Sequence, residues 1–533
     1  MEKNFKPFQR MKALKLVGLV MFLVGLFAFS GLLFVGDFQL TSSEVNAILS
    51  PKEKANLGEE LIALTSNKTY GSAFGLANQL TDLYTATNNN LKTQQNWDGV
   101  MWKSAQDFAF PLVKAASKSS VKTSTSIWFL LSIFLAVFGG LLYQLPQKWL
   151  DKSLGIKNNG IYFNSATNRG LIGILLGIFL IAFYILLYWF PAYIVNWVIL
   201  VDPLSMALSS NPASQWFLYG FLYTVVMLVM GVRMFLKYRG NKYQQIRTGS
   251  VLFFQTAFAF LIPEILVRLN QPYMDFKNIW PLDYDFFFQW NLDQLIASGG
   301  IGVFMLVWGI VLFVVTVPLF TYLYGKRWYC SWVCGCGGLA ETLGDPFRQL
   351  SSKKLGAWKV ERIVVHSVLV FAVVMTLATL YGYFTGNMHV LGVETYQIQK
   401  TYGFLIGSAF AGVVGTGFYP LMGNRVWCRF GCPLAAYIGL IQRFKSRFRI
   451  TTNGGQCISC GNCSTYCEMG IDVRWYAQRG QNIVRSSCVG CGVCSAVCPR
   501  GVLKLENGPD KQRINENPIL IGGHEAKLNN EVV

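Results

Sequence analysis

Two runs of four cysteines lie near the C-terminus: residues 457–467 read CISCGNCSTYC and residues 488–498 read CVGCGVCSAVC. Both follow the spacing C-x2-C-x2-C-x3-C, which wraps a loop around a cubane [4Fe–4S] cluster with thiolates as the soft ligands. In paired runs the fourth cysteine binds the cluster of the other run. We therefore predict two clusters, one held by Cys457, Cys460, Cys463 and Cys498, and the other by Cys488, Cys491, Cys494 and Cys467.

Other cysteine sites fit these runs less well. A zinc site uses two CxxC pairs, and a disulfide framework suits a small secreted domain. One position departs from the usual pattern, because Glu468 follows Cys467 where the second run has Pro499 after Cys498. Since a proline there shields a cluster from water, we expect the edge beside Cys467 to be wetter.

The composition of the whole chain is that of a membrane protein. Of 533 residues, 53% are hydrophobic and 14% charged, and the mean hydropathy is +0.37. About eight apolar runs are long enough to span ~30 Å of hydrocarbon at ~20 residues each. They cover residues 13–36, 125–145, 170–192, 214–236, 250–269, 298–324, 361–385 and 403–423. We therefore predict a mainly α, polytopic helical membrane protein with a C-terminal cytoplasmic ferredoxin domain.

Arginine placement indicates the orientation of the spans. Under an eight-span count, arginines such as Arg10, Arg233, Arg327 and Arg425 fall on one side, and Arg268 is the exception. The positive-inside rule then places both termini in the cytoplasm. The net charge of +19 mostly reflects this bias. A nucleic-acid role is disfavoured, because the basic residues follow the spans and form no single patch.

The cysteines follow the same division. All thirteen lie at or after Cys330, so the large external segment has none, as expected if thiols stay on the reducing side. The leucine spacing in that segment is helical, and its sequence favours a docking or shielding role. We predict six segments: an N-terminal membrane anchor (1–36), an extracytoplasmic helical cap (37–124), membrane helices of unassigned role (125–297), membrane hairpins (298–450), the ferredoxin domain (451–505) and a flexible tail (506–533).

A short sequence is repeated after two of the apolar runs. Residues 327–334 read RWYCSWVC, and residues 425–432, 98 positions later, read RVWCRFGC; we call them the first and second elbow. Cysteines at i and i+4 of a helical turn point to the same side. Two such pairs facing each other supply four thiolates, so the elbows are a candidate site for a third cluster, with Cys330, Cys334, Cys428 and Cys432 as its metal ligands. Redox-active dithiols or structural cysteines are the alternatives, and Cys336 has no assigned role.

The elbows, their position after membrane hairpins and the ferredoxin runs behind them resemble the membrane-bound polyferredoxins of the NapH, NosR and CcoG type, over residues 298–505. In that family an elbow usually reads CxxxCP. The second elbow does, with Pro433, whereas the first continues with Gly335 and Cys336, which leaves its ligand set open.

The resemblance implies an iron–sulfur protein of a bacterial cytoplasmic membrane, with other respiratory or electron-transfer proteins as partners. It would pass electrons between its ferredoxin domain and either the quinone pool or an extracytoplasmic acceptor, and could be part of a quinol dehydrogenase. Two other functions stay open: a maturation or metal-reductase factor for a respiratory enzyme, and a redox-sensing regulator.

Two further kinds of intramembrane residue are candidates. Glu264 lies in the fifth apolar run, and an intramembrane carboxylate is a functional candidate by default, here for the protons of a quinone. The alternative is an ion pair with Arg268, four residues on. A b-type haem is disfavoured, because it usually needs paired histidines, and His366 lies in a span while His389 lies outside one.

Overall fold

The structure is a computed structural model that describes residues 5–65, 68–146, 156, 164–390, 392–453 and 455–508. All but the first few residues of the predicted tail lie outside the described residues. The chain divides into two compact units, the first comprising residues 1–152 and 182–232 and the second residues 153–181 and 233–533.

Seven helices in the described part are long and apolar enough to cross a membrane, which confirms the predicted fold class. In order they are Gln9–Phe34, Thr125–Gln144, Leu171–Trp189, Gln215–Lys237, Lys242–Arg268, Gly299–Tyr324 and Leu355–Thr385. A bent pair, Pro191–Ile199 and Asp202–Ser209 at 78°, forms a broken span or a re-entrant loop.

The eighth predicted run is less apolar than the other seven. Around it, the helical segments Thr395–Tyr402, Gly403–Val414 and Gly415–Gly417 follow one another without a gap. Glycine, threonine and tyrosine lower the hydropathy of this run, and it is not one of the seven helices named above.

In the first unit, the N-terminal helix packs closely on the second apolar helix. A Cβ on Gly25 would lie 2.5 Å from the backbone nitrogen of Ala136, and one on Gly139 would lie 2.4 Å from that of Phe22. Small residues at such contacts let two helix backbones approach. The helical segments of this pair are Phe5–Gly31, Leu32–Phe34, Thr125–Phe129, Leu130–Phe134 and Leu135–Gln144.

The predicted cap region is helical. Its helices are Ser42–Ile48, Pro51–Glu53, Lys54–Gly58, Glu59–Thr65, Ala73–Thr93, Ala105–Ala116 and Ser120–Thr123, and the first unit continues with Pro191–Ile194, Val195–Ile199 and Asp202–Ser209. Thr41 and Ser50 each form a capping box, with Glu44 and Glu53 respectively, so two of these short helices begin with their amide groups paired.

The second unit contains both elbows and the ferredoxin runs. Its helical segments besides those already named are Lys242–Phe253, Phe254–Leu261, Ile262–Arg268, Gln289–Ala297, Gly299–Val311, Leu312–Thr316, Val317–Tyr324, Arg327–Cys330, Gly335–Thr342, Asp345–Leu350, Tyr419–Met422, Trp427–Gly431, Pro433–Lys445, Asn462–Thr465, Val473–Gln478 and Val493–Ala496.

Two small antiparallel sheets complete the second unit. Strand His389–Val390 pairs with Val393–Glu394. Strand Phe448–Thr452 pairs with Leu503–Asn507, with Phe448 opposite Asn507. The second sheet pairs the two ends of the ferredoxin region, and both cysteine runs lie between its two strands in the sequence.

Residues 271–288, which we call the inserted loop, run back among the apolar helices of the second unit. The Tyr329 hydroxyl of the first elbow donates to the Lys277 carbonyl at 2.9 Å. The Trp280 ring lies 5.1 Å from that of Phe313, in the middle of the sixth apolar helix. The loop therefore reaches the first elbow instead of staying at the helix ends.

Candidate iron–sulfur sites

The two cysteine runs form two cavities. The first, which we call the outer cavity, is lined by Cys457, Cys460, Cys463 and Cys498 among other residues. The second, the inner cavity, is lined by Cys467, Cys488, Cys491 and Cys494 among other residues. Each cavity thus collects three cysteines from one run and the fourth from the other, the grouping that the sequence predicts.

The outer cavity opens toward the surface, whereas the inner one is packed against other elements. Cys460 is exposed, and the exposed side chains of Arg474 and Arg500 lie at the rim of the outer cavity. Around the inner cavity, Gln244 Nε2 donates to the Cys491 carbonyl at 2.6 Å, and the Tyr243 hydroxyl donates to the Gly490 carbonyl at 3.0 Å.

Glycine is required where the inner loop passes its neighbours. Gly490 has φ 63°, and a Cβ there would lie 2.6 Å from Cβ of Arg327. Gly492 has φ 73°, and a Cβ there would lie 3.0 Å from the ring of Tyr243. Only glycine combines this backbone conformation with so close an approach. The conformation of the inner cysteine loop therefore depends on the neighbouring residues as well as on its own sequence.

The two elbows have the same local structure. The Cys334 amide donates to the Tyr329 carbonyl at 2.8 Å, and the Cys432 amide donates to the Trp427 carbonyl at 2.9 Å. Each second cysteine also immediately precedes a helix, Gly335–Thr342 and Pro433–Lys445. The sequence repeat is therefore a structural repeat, although the two cysteines of an elbow flank a tight turn and do not lie on one continuous helix.

The four elbow thiols lie close together in one buried core. All four side chains are buried. Burial raises the pKa of Cys330 to about 12; the nearby Cys334 and Cys428 act in the same direction, while Lys326 and Arg425 act to lower it. Burial also raises the pKa of Cys432 well above its usual value, with contributions from Cys428, Cys334 and Cys330. The four thiols of the two elbows therefore lie near one another.

Cys336, left unassigned by the sequence, lies beside the first elbow. Its thiol and that of Cys334 form a hydrogen bond, which lowers the pKa of Cys334 and raises that of Cys336. Cys336 is therefore a hydrogen-bonding neighbour of Cys334.

The residues present fit iron–sulfur clusters. Each cavity offers four thiols, and among the described residues no three His, Cys, Asp or Glu side chains converge on the position of a single metal ion. At the second elbow, Trp427 Nε1 and Arg425 Nε are buried without a hydrogen-bond partner in the described structure. Buried donors are normally paired, and a cluster sulfide is an acceptor for such N–H groups.

Charged side chains fill the space between the inner cavity and the elbows. Glu468 is 0% exposed, and its carboxylate lies 3.1 Å from Arg425 Nη2 and 3.3 Å from Arg348 Nη2. Glu341 pairs with both arginines and with Arg247. We call these five residues the arginine–glutamate network. The expectation of a wetter edge beside Cys467 is therefore wrong, because two guanidinium groups cover the carboxylate that replaces the proline.

The network keeps its charges despite complete burial. Burial alone would raise the pKa of Glu468, but the charges of Arg348 and Arg425 hold it well below the usual value. Burial likewise acts to lower the pKa of Arg425, whereas Glu468 and Glu341 raise it well above the usual value. The carboxylate and the guanidinium groups are thus ionised together.

The network ends on thiols of two different sites. Arg425 Nη1 lies 3.7 Å from Sγ of Cys428 in the second elbow. Arg348 Nη1 lies 3.8 Å from Sγ of Cys491 in the inner cavity. Sequence reasoning missed this role, although Arg425 opens the repeated elbow motif.

The remaining candidates lie elsewhere in the second unit. Glu264 is half-buried in helix Ile262–Arg268 and lies near Tyr273 of the inserted loop. His366 Nδ1 contacts the Arg362 carbonyl at 2.5 Å, and His389 is exposed in a short strand. The inserted loop adds a group that the sequence did not indicate, a Lys277–Asp275 ion pair of 2.8 Å beside the first elbow.

Two family models match this part of the chain. A 4Fe-4S binding domain matches residues 304–357 and 403–451, which contain both elbows, and a 4Fe-4S dicluster domain matches residues 456–503. The chain is a polyferredoxin-like 4Fe–4S protein. The predicted resemblance and the predicted [4Fe–4S] clusters are thereby confirmed.

Two curated proteins are similar to this polyferredoxin-like chain. YccM of Escherichia coli K12, which is named for electron transport, is 27% identical over 157 residues, 28% of this chain and 43% of YccM. The methylamine utilization ferredoxin-type protein MauN of Methylobacillus flagellatus is 28% identical over 156 residues, 29% of this chain and 52% of MauN. The chain thus spans about half the length of these relatives. No solved structure gives a significant match.

Proposed function

We propose that this chain is a membrane-embedded electron-transfer protein that passes electrons between a cytoplasmic ferredoxin domain and the membrane. The observation that carries the proposal is the grouping of twelve cysteines into two four-thiol cavities and one four-thiol elbow site, whose buried members lie in a single core. [4Fe–4S] clusters held there supply one-electron transfer.

The ligands follow from the cavity linings. Cys457, Cys460, Cys463 and Cys498 would hold the outer cluster, and Cys467, Cys488, Cys491 and Cys494 the inner one. Cys330, Cys334, Cys428 and Cys432 would hold the third centre, with Cys336 as a hydrogen-bonding neighbour of Cys334.

Contacts between the sites support an order from outer cavity to inner cavity to elbows. Cys463 lies close enough to Cys494 for its charge to raise the pKa of the Cys494 thiol, which burial already raises. From the inner loop to the first elbow, Ser331 Oγ donates to the Val489 carbonyl at 2.8 Å. The exposed Cys460 favours the outer cavity as the place where a soluble partner exchanges electrons.

On the membrane side, we propose that the elbow site serves the quinone pool or an acceptor across the membrane. The inserted loop brings Asp275 and Lys277 to the first elbow, and Glu264 lies near Tyr273 on the approach to that loop. Ionisable groups among apolar helices are costly and mark functional paths. These side chains would handle the protons of a quinol, with Glu264 as the weaker candidate.

Iron content tests the elbow assignment. We expect about twelve iron atoms per fully loaded chain and about eight in Cys428→Ala, because that variant removes a ligand of the third centre and none of the other eight. Anaerobic iron and sulfide analysis, together with EPR spectra of the reduced protein, measures both. Cys336→Ala is the matched control, since it removes a neighbouring thiol that we do not count as a ligand.

The same proteins decide the functional role. Cys428→Ala should stop electron transfer from a quinol analogue to an artificial acceptor and leave the ferredoxin signals in place. Equal iron content in Cys428→Ala and the unmodified chain, with unchanged transfer, would contradict the elbow centre.

A further inference from the structure

The arginine–glutamate network is a continuous chain of charged contacts between two cysteine sites. It runs from Sγ of Cys428 through Arg425 and Glu468 to Arg348 and Sγ of Cys491. Glu341 contacts the same two arginines from the other side. All five side chains of the arginine–glutamate network are buried, so water screens their charges little.

The ends of the network act directly on ligand sulfurs. An N–H group that points at a cluster thiolate favours the more negative, reduced state, and hydrogen bonds to sulfur are a principal means by which a protein tunes cluster potential. Arg425 is placed to do this for the elbow centre and Arg348 for the inner cluster.

The middle of the network acts on both ends at once. Glu468 contacts both guanidinium groups, so its negative charge reduces the positive field at Cys428 and at Cys491 together. Glu468 also directly follows Cys467, a predicted ligand of the inner cluster. A proline at this position would leave both arginines without this partner.

We propose that Glu468, Arg425 and Arg348 are positioning residues that set the potentials of the elbow centre and the inner ferredoxin cluster jointly. This inference rests on the proposed function, because it takes the elbow thiols to hold a redox centre. Glu468 holds both arginines against their sulfurs and offsets their charge. A change in the charge of the network would then alter the redox potentials of these two neighbouring centres in the same direction.

Glu468→Gln tests the shared action, because it keeps the shape of the side chain and removes its charge. We expect the midpoint potentials of the inner cluster and the elbow centre both to shift in the positive direction, and the potential of the outer cluster to stay within error. EPR-monitored redox titration of the full-length protein in detergent measures the three separately.

Glu361→Gln is the matched control. Glu361 is also buried and accepts from Arg429 at 2.9 Å. Among the described residues Arg429 also donates to the Ser352 carbonyl, and neither of these acceptors is a thiol. Equal potential shifts in Glu468→Gln and Glu361→Gln would overturn the proposal. A shift confined to one of the two centres would overturn the joint action.

A second variant keeps the proposal testable if Glu468→Gln does not assemble. Arg425→Lys keeps the positive charge and loses the contact with Cys428, so the elbow potential should shift in the negative direction relative to the outer cluster. An unchanged elbow potential would overturn the tuning role. Failure of the proposed function appears differently, as about eight iron atoms and no third EPR signal in the unmodified chain.

Discussion

At the scale of single residues, the position after Cys467 shows how one substitution can change the surroundings of a cluster. Where a proline usually excludes water, this chain has a carboxylate, and the protein covers it with Arg348 and Arg425. Desolvating an ion pair costs several kcal/mol per charge, and the cost is recovered only if every charge finds partners. In the network, each carboxylate contacts at least two arginines.

Removing one arginine from the network should therefore be severe. Arg348→Ala leaves Glu341, Glu468 and Asp345 buried without one of their partners, and breaking a buried pair in this way costs about 3–5 kcal/mol. We expect a large fall in the thermal midpoint of the protein in detergent. Arg443→Ala, at an exposed position, is the control and should change stability by less than about 0.5 kcal/mol. Similar thermal midpoints for the two variants would contradict the predicted contribution of the network to stability.

The sequence predicts some of these residues and not others, for a physical reason. The ligand spacing and the repeated elbow are local patterns, so twelve cysteines could be grouped without a structure. Glu341 and Arg348 lie seven residues apart, but Arg425 and Glu468 come from two other parts of the chain. These four residues carry no periodic signal. Their pairing depends on tertiary packing, and a buried arginine looks the same in a sequence as an arginine at a membrane surface.

At the scale of elements, the inner cysteine loop depends on its neighbours for its shape. Gly490→Ala places a Cβ 2.6 Å from Cβ of Arg327 and also forces an alanine to φ 63°. We expect this variant to lose about four iron atoms, those of the inner cluster, and to keep the EPR signal of the outer one.

A second glycine separates backbone strain from crowding. Gly501 has φ 61° and open space around its Cβ position, so Gly501→Ala carries only the strain, about 1–2 kcal/mol. Iron content should stay near that of the unmodified chain. If Gly501→Ala lost as much iron as Gly490→Ala, the contact with Arg327 would not be the cause.

The inserted loop is the element that the sequence does not predict. Residues 271–288 have neither helical periodicity nor a long apolar run, which is typical of a surface connection. In the structure Trp280 and Tyr329 anchor the loop among the helices through side-chain contacts. Irregular backbone among membrane helices is tolerated where protein surrounds it or where it lines a polar site, which agrees with its place beside the first elbow.

At the scale of the whole molecule, the neighbouring elbows constrain the number of membrane crossings. Their thiols lie together, so the chain between them must start and finish on the same side. Helix Leu355–Thr385 is long and apolar enough to be one crossing. We therefore predict that the helical segments over residues 395–417 form the return crossing, an eighth span of lower hydropathy.

The side of the membrane on which the cap region lies decides whether the proposed electron route is correct. We predict that the elbows, the ferredoxin domain and both termini face the cytoplasm, and that residues 37–124 face outward, because arginine placement and cysteine distribution agree. Thr85 is exposed in helix Ala73–Thr93, in a region without native cysteines. In right-side-out vesicles Thr85→Cys should react with a membrane-impermeant maleimide, while the unmodified chain, whose cysteines would all face the lumen, serves as the background control. Labelling of Thr85→Cys only in inverted vesicles would reverse the topology and place the ferredoxin domain on the side where a cytoplasmic electron carrier cannot reach Cys460.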